Sequence, residues 1–177
     1  HLTFTDQKTS VPQKTVGDLQ MEFQLTRLDT IEKTEGAIRY QFADKNELTF
    51  HLDPYHSDCV RYVDYLLAGN MIKREYYGAC KLATEYFQYG RILRRTYHNQ
   101  DGSIAFEELK LGGSWLYKLG PEIFINHTEV RRLFLSKLAL KEGELILLDR
   151  ASRIDFARPL LEKDNPSKLA MVFHSEH

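Results

Sequence analysis

From Val16 to about Gly120, short apolar runs alternate with turn residues at close intervals, the rhythm of strands joined by hairpins. Strands are expected near Leu19–Thr26, Ala37–Phe42, Leu48–Leu52, Cys59–Leu67, Met71–Tyr77, Lys81–Tyr86, Ile92–His98, Ile104–Leu109, Trp115–Leu119 and Ile123–Asn126. Between them stand Glu35-Gly36, Asp53-Pro54, Gly69-Asn70, Asn99-Gln100-Asp101-Gly102 and Gly112-Gly113, residue types that tolerate tight turns. The spacing leaves no room for crossover helices, so consecutive strands should pair as an antiparallel meander. In Cys59–Leu67 one face carries Cys59, Arg61, Val63, Tyr65 and Leu67, and the other Val60, Tyr62, Asp64 and Leu66. Neither face is cleanly apolar, which fits a broad, thin sheet better than a closed barrel.

After Pro121 the period changes. Thr128 is expected to cap a helix with Glu129 in its first turn. Val130, Leu133, Phe134 and Leu138, with Leu135 at the edge, would form its apolar stripe to about Leu140. Glu142-Gly143 should stop it. Leu145–Leu148 then reads as a short buried parallel strand, 151–167 as a crossover broken at Pro159 and Pro166, and Lys168–Phe173 as a second parallel strand. The predicted organisation is a tail over 1–15, a β-meander over 16–120 and a partial α/β unit over 121–177.

Composition narrows the function classes. Lys plus Arg total 24 against 25 acidic residues, so no global basic field points to nucleic acid. Cys59 and Cys80 are too few for a secreted disulfide scaffold; they could pair, but two thiols of a cytoplasmic protein are the simpler reading. No apolar run approaches the roughly 20 residues of a membrane span. Nine of the ten tyrosines lie between Tyr40 and Tyr97. Tyrosine suits protein and carbohydrate surfaces, yet it is also a good strand residue; Tyr62, Tyr65, Tyr76 and Tyr77 are the candidates for contact with a partner or acceptor.

Chemistry is expected where predicted parallel strands end. Asp149-Arg150 follows one strand, and His174 with Glu176 and His177 follows the other; ligands of open α/β sheets sit outside such carboxyl ends. A strand that needs neighbours on both sides followed at once by this cluster suggests an excised piece of a larger enzyme. His174 and His177 on an irregular loop, without further Cys/His clustering, make a poor zinc site, so no metal is expected. The chain has no dinucleotide-binding glycine fingerprint, Walker loop or nucleophile elbow. Arg91, Arg94 and Arg95 read as a solvated face, His51 and His56 as surface residues beside a turn, and Asp64 and Glu75 as solvent-facing or edge charges.

Leu67-Ala68-Gly69-Asn70-Met71-Ile72-Lys73-Arg74-Glu75-Tyr76-Tyr77, Glu85-Tyr86-Phe87 and Arg95-Thr96-Tyr97-His98-Asn99-Gln100-Asp101-Gly102-Ser103 occur in order, followed by Leu147-Leu148-Asp149-Arg150 and Val172-Phe173-His174-Ser175-Glu176-His177. In this order the chain, from about Ala37 to His177, resembles the accessory-secretion glycosyltransferases of Gram-positive bacteria. The resemblance implies a two-lobed (GT-B) retaining glycosyltransferase of family 4, with an extended β-sheet domain inserted into its N-terminal nucleotide-fold lobe. The implied fold class is α+β, an extended antiparallel meander followed by part of a doubly wound α/β lobe. Members transfer N-acetylglucosamine from UDP-GlcNAc to Ser/Thr of serine-rich repeat adhesins. They need no cofactor beyond the UDP-sugar donor, and they work with a homologous noncatalytic subunit that helps hold the acceptor polypeptide; self-association is the other arrangement expected here.

Within that resemblance, His174 and His177 would lie nearest the donor sugar, beside Glu176, with Asp149 and Arg150 on the inner rim. A first strand with a Gly-rich loop is expected before residue 1, and the second, nucleotide-holding lobe after residue 177. Peripheral membrane association is expected only of the full-length protein. The His-Ser-Glu-His ending favours the active protein transferase over two alternatives, a noncatalytic interaction module and a wall teichoic acid glycosyltransferase.

Overall fold

The computed structural model describes residues 13–25, 30–42, 45–137, 142, 144–148 and 168–171. Ten strands form one open sheet in strict sequence order: β1 (Thr30–Lys33), β2 (Ala37–Gln41), β3 (Glu47–Leu52), β4 (Val60–Leu67), β5 (Asn70–Tyr77), β6 (Lys81–Gln88), β7 (Arg91–His98), β8 (Ile104–Leu111), β9 (Ser114–Leu119) and β10 (Glu122–Phe124). Every neighbouring pair is antiparallel. At about 4.8 Å per strand the sheet is roughly 43 Å wide. The expected open meander is present. Two-residue turns make it possible: Ala68-Gly69 and Tyr89-Gly90 both hold positive φ at each position (48° and 79°, 50° and 70°), the geometry whose twist matches that of the flanking strands.

The first expected strand is not one. Leu19, Met21, Phe23 and Leu25 alternate as a strand would, but Val16–Glu22 is a helix, α1. Val16, Leu19 and Phe23 follow the competing helical period, and Thr15 with Asp18 forms a reciprocal capping box that satisfies two end amides. Leu19 is fully buried whereas Met21 is 74% exposed, so the helical face prevails. β1, a short and mostly polar edge strand, carries no alternation that would announce it in the sequence.

Lys14 and Thr15, expected in a tail, belong to the sheet. The Lys14 N–H donates to Gly78 O at 2.8 Å, and Lys14 O accepts from Val60 N–H at 2.9 Å. The segment therefore wedges between the start of β4 and the turn after β5, and delivers α1 onto one face. There Leu19 packs with Ile38, Tyr40, Leu48, Phe50, Leu52, Val60, Val63 and Tyr77, with Val16, Phe23, Leu25 and Tyr65 at the margin. Phe23 meets the Phe50 ring at 6.0 Å and Tyr65 edge-on at 6.1 Å. This cluster is the hydrophobic core of the wide sheet.

A second helix, α2 (His127–Lys137), follows β10. Asn126, not Thr128, caps it: its Oδ1 accepts from Glu129 N–H at 2.9 Å. The buried face is also offset from the expected one, with Leu135 buried and Phe134 52% exposed. β11 (Leu145–Leu148) and β12 (Lys168–Met171) pair in parallel, Leu145 with Lys168 through Leu148 with Met171, as their apolar runs predicted. The expected crossover over 151–167 and the helix stop at Gly143 lie outside the described residues.

Removing the capping hydroxyl with Thr15→Ala should cost about 1 kcal/mol, read as a lower urea midpoint with an unchanged m-value. An unchanged midpoint would mean that α1 adds nothing to the sheet.

Candidate interaction face of the sheet

Directly opposed residues of antiparallel strands share a face, so the register identifies what each side presents. On the side away from α1, Asp64 opposes Arg74, Arg74 opposes Glu85, Glu85 opposes Arg95, and Arg95 opposes Glu108. Charge thus alternates across β4 to β8. Arg74 grips Asp64 with two donors, at 2.5 and 2.8 Å, the bidentate geometry of a strong pair. Arg95 bonds Glu85 at 2.8 Å and Glu108 at 3.3 Å, and the Tyr76 hydroxyl donates to Glu85 at 3.0 Å. His51 Nε2 extends the chain, 3.0 Å from Asp64 Oδ2.

Beside this ladder runs an aromatic row. His51 stacks on Tyr62 at 4.1 Å, Tyr62 meets Tyr76 at 5.9 Å, and beyond the small Ala83 come Tyr97 and Phe106, 5.6 Å apart. Tyr117 continues it and stacks on His127 at the start of α2. The Arg74 guanidinium sits 4.4 Å over the Tyr62 ring. Tyr62, Tyr76 and Tyr97 are half-buried: their edges are packed along the strands while part of each ring remains accessible.

Several residues expected at the surface carry structure instead. Asp64 and Glu75 are each only 5% exposed. Burial alone would raise the Asp64 pKa, but hydrogen bonds with His51 and Arg74 and the adjacent positive charge outweigh it and hold the carboxyl below its ordinary value. Glu75 lies on the α1 side, where it accepts from the Tyr65 hydroxyl, from Tyr77 at 2.9 Å and from Lys81 at 3.2 Å, with Lys73 at 3.4 Å. Burial again favours protonation, and these partners again reverse it. Burial first, and then Glu75, push both phenols well above their ordinary values. Burial and the nearby Glu108 push Tyr97 up to about 12. Arg94 pairs with Glu107 at 2.7 Å and Arg95 with Glu85 and Glu108; of the three arginines expected on a solvated face, only Arg91 is exposed. His56 is exposed as expected, whereas His51 is part of the ladder.

The four candidate tyrosines divide. Tyr62 and Tyr76 stand on the ladder face. Tyr65 and Tyr77 lie on the α1 side around Glu75, and Tyr77 is buried, which places them in the packed side rather than on an accessible surface. Asp149, Arg150, His174, Glu176 and His177 lie outside the described residues. Among the described residues no His, Cys, Asp and Glu side chains cluster as a metal site would require, no helix is long and apolar enough to cross a membrane, and Cys59 and Cys80 are free thiols.

A wide one-layer meander with charged and aromatic rows, followed by a helix and a parallel strand pair, defines an extended β-sheet domain adjoining α/β structure. The chain belongs to the GtfA extended beta-sheet domain family, whose model matches residues 30–121. The UDP-N-acetylglucosamine–peptide N-acetylglucosaminyltransferase GtfA subunit of Streptococcus agalactiae is 32% identical over 179 residues, 98% of this chain and 35% of that protein. Two crystal structures share the fold along most of the chain. A GtfA/B complex superposes with a TM-score of 0.79 at 27% identity, over 94% of this chain and 34% of that one. The pneumococcal O-GlcNAc transferase GtfA, in complex with UDP and GlcNAc, gives 0.74 at 28%, over 96% and 33%. The chain spans about a third of the length of the curated relatives it matches.

The acid response follows from the two buried carboxylates. Their folded pKa values lie below the ordinary values of 3.8 for Asp64 and 4.5 for Glu75. The stability they contribute is therefore complete above those ordinary values and is lost as pH falls through the lower folded ones. Glu75→Gln should cost about 2 kcal/mol at neutral pH and flatten the loss of stability below about pH 4.5, measured by urea denaturation across pH. An acid slope as steep as that of the unsubstituted protein would remove Glu75 from this role.

Proposed function

We propose that this chain forms the extended β-sheet domain and the adjoining α/β segment of a two-lobed GT-B enzyme. That enzyme moves N-acetylglucosamine from UDP-GlcNAc to Ser or Thr of a polypeptide, with a serine-rich repeat adhesin as the acceptor. The observation that carries the reading is the 32% identity to a peptide N-acetylglucosaminyltransferase subunit along 98% of the chain, spanning the meander and the parallel pair alike. The same likeness favours the protein transferase over a wall teichoic acid enzyme or a purely noncatalytic module. The donor is a substrate, and no further cofactor is required. Two free thiols agree with a cytoplasmic site of action, with any membrane association peripheral and confined to the full-length protein.

The division of labour follows the architecture. β11 and β12 are adjacent and parallel, with Leu148 opposite Met171, and the next residues in sequence are Asp149-Arg150 and the segment leading to His174, Glu176 and His177. In this reading the cluster lines the donor side of an inter-lobe cleft. A histidine there acts by hydrogen bonding to the sugar or phosphate rather than as a nucleophile. The ladder face, with Tyr62 and Tyr76, supports contact with a homologous subunit or with the acceptor: its rings offer rigid area with polar tips, and its charges already have partners within the sheet. Catalysis needs donor and acceptor positioned together, so residues 1–177 alone should transfer no sugar.

His174→Ala in the full-length enzyme should lower turnover roughly 10–100-fold, the loss of one hydrogen bond to a charged group, while fold and partner binding stay intact. His177 is the substitute within the same segment. Full activity in both single variants and in the double variant would remove this cluster from the donor site.

Tyr62→Ala and Tyr76→Ala should each weaken binding of the subunit or acceptor by about 2 kcal/mol if they are centres of the contact, measured by titration calorimetry. Normal binding by folded variants would leave the row as strand packing only.

A further inference from the structure

The aromatic row of the ladder face does not stop at the sheet. Tyr97, Phe106 and Tyr117 follow one another across β7, β8 and β9. The last of them stacks on His127, the first residue of α2, at 5.3 Å with the rings 10° from parallel. Tyr117 is 9% exposed, and its register partner on β8 is Glu108, the last carboxylate of the charge ladder. Both rows of the face thus arrive where α2 begins. The hydrophobic core under α1 draws on β2 to β5, so the buried Tyr117 ring is no part of it.

The covalent link at this point fixes distance better than angle. β10 is an edge strand of three residues paired with β9. Only Ile125 and Asn126 separate it from α2, and Ile125 is 72% exposed. Each linking residue carries two soft dihedrals, so side chains must set the direction of the helix. His127, Arg131 and Leu135 are four residues apart and share one face of α2, on which Leu135 is 7% exposed. Arg131 Nη2 lies 3.2 Å from His127 Nδ1. A guanidinium can only donate, so this nitrogen accepts and the ring is held as a neutral imidazole. Stacking of two flat rings constrains orientation as well as separation.

We propose that Tyr117 and His127 are a positioning pair: their stack sets the angle between the sheet and α2, and so aligns an acceptor held on the ladder face with the donor in the α/β part. The inference rests on reading the chain as part of a peptide sugar transferase, and adds to it two residues that touch neither substrate. They act through geometry, because a displacement of about 1 Å remote from the chemistry can cost roughly 100-fold in rate.

Two readouts on the full-length enzyme test it. Spin labels at Gln88→Cys on β6 and Lys137→Cys at the far end of α2, both exposed positions, report the angle as a distance distribution once the other cysteines are replaced by Ser. A narrow distribution is expected, kept by Tyr117→Phe and broadened or shifted by Tyr117→Leu and His127→Leu. In assays, Tyr117→Leu should lower kcat for transfer to the polypeptide roughly 10–100-fold. The KM for UDP-GlcNAc, and the slow reaction in which water takes the sugar and UDP leaves, should stay unchanged, because neither needs the sheet. Tyr117→Phe should transfer at the parent rate. If Tyr117→Leu does not fold, His127→Leu, at an exposed residue, decides alone. An unchanged distribution in the leucine variants, full transfer despite a broadened one, or transfer and hydrolysis falling together would overturn the proposal. The distance measurement needs no catalysis, so absence of peptide transfer in the unsubstituted enzyme would refute the functional reading separately.

Discussion

The alternation of Asp64, Arg74, Glu85, Arg95 and Glu108 across five neighbouring strands is the constraint on which the wide sheet depends. The hydrophobic cluster beneath α1 draws on β2 to β5, and the sheet continues for five strands more. Each cross-strand charge pair is worth only roughly 0.2–1 kcal/mol. Their value here lies in register: a shift of one strand against the next moves every ladder residue off its partner, and a one-residue slip also sends it to the other face. Partial burial raises the stake, because a carboxylate as enclosed as Asp64 is tolerable only with its cations in place.

The two faces solve the same problem differently. On the α1 side, Lys14 bridges β4 and the β5–β6 turn, and the helix it delivers caps an apolar patch. Where that patch ends, Glu75 gathers two phenols and two lysines, and Thr84 and Thr96, 1% and 2% exposed, hold His98 Nε2 at 3.2 and 3.3 Å. On the other side the sheet satisfies its charges internally and leaves the aromatic row partly accessible. One face is thus committed to the protein's own packing, and the other can meet a partner without leaving a buried charge unpaired.

Much of the fold is legible in the chain because turn chemistry is local. Gly69, Gly102 and Gly112 mark hairpins whatever the strands pack against, and the short intervals permit only a meander. The parallel pair was legible too, since Leu145–Leu148 and Lys168–Met171 are apolar runs too short for helices. Leu19–Thr26 misled because period two and period 3.6 coexist there, and the Thr15–Asp18 cap decides between them. Asn126 and Thr128 are both acceptable caps, so the helix start was ambiguous by two residues. Phe134 and Leu135 are both apolar neighbours on the margin of one stripe, so which is buried depends on what the helix packs against. The candidate interaction face was only half visible. The tyrosine enrichment and the alternation of Tyr62 with Tyr65 could be seen, but which face is covered depends on α1, a segment that reads equally well as a strand. Asp64 and Glu75 read as solvent charges because His51 and Arg74, which hold Asp64, and Tyr65, which donates to Glu75, are 10 or more residues away in sequence.

A charge swap within the ladder tests the central claim most directly. Glu85→Arg and Arg95→Glu, singly and together, are compared with the unsubstituted protein by denaturant unfolding. The double variant restores the Glu85–Arg95 pair in reversed sense, but it sets Arg against Arg74 on one side and Glu against Glu108 on the other. If the alternating row acts as a unit, the double variant stays destabilised and is not rescued relative to the single variants. Recovery of full stability in the double variant would contradict the account, because each pair would then stand alone and the row would set nothing.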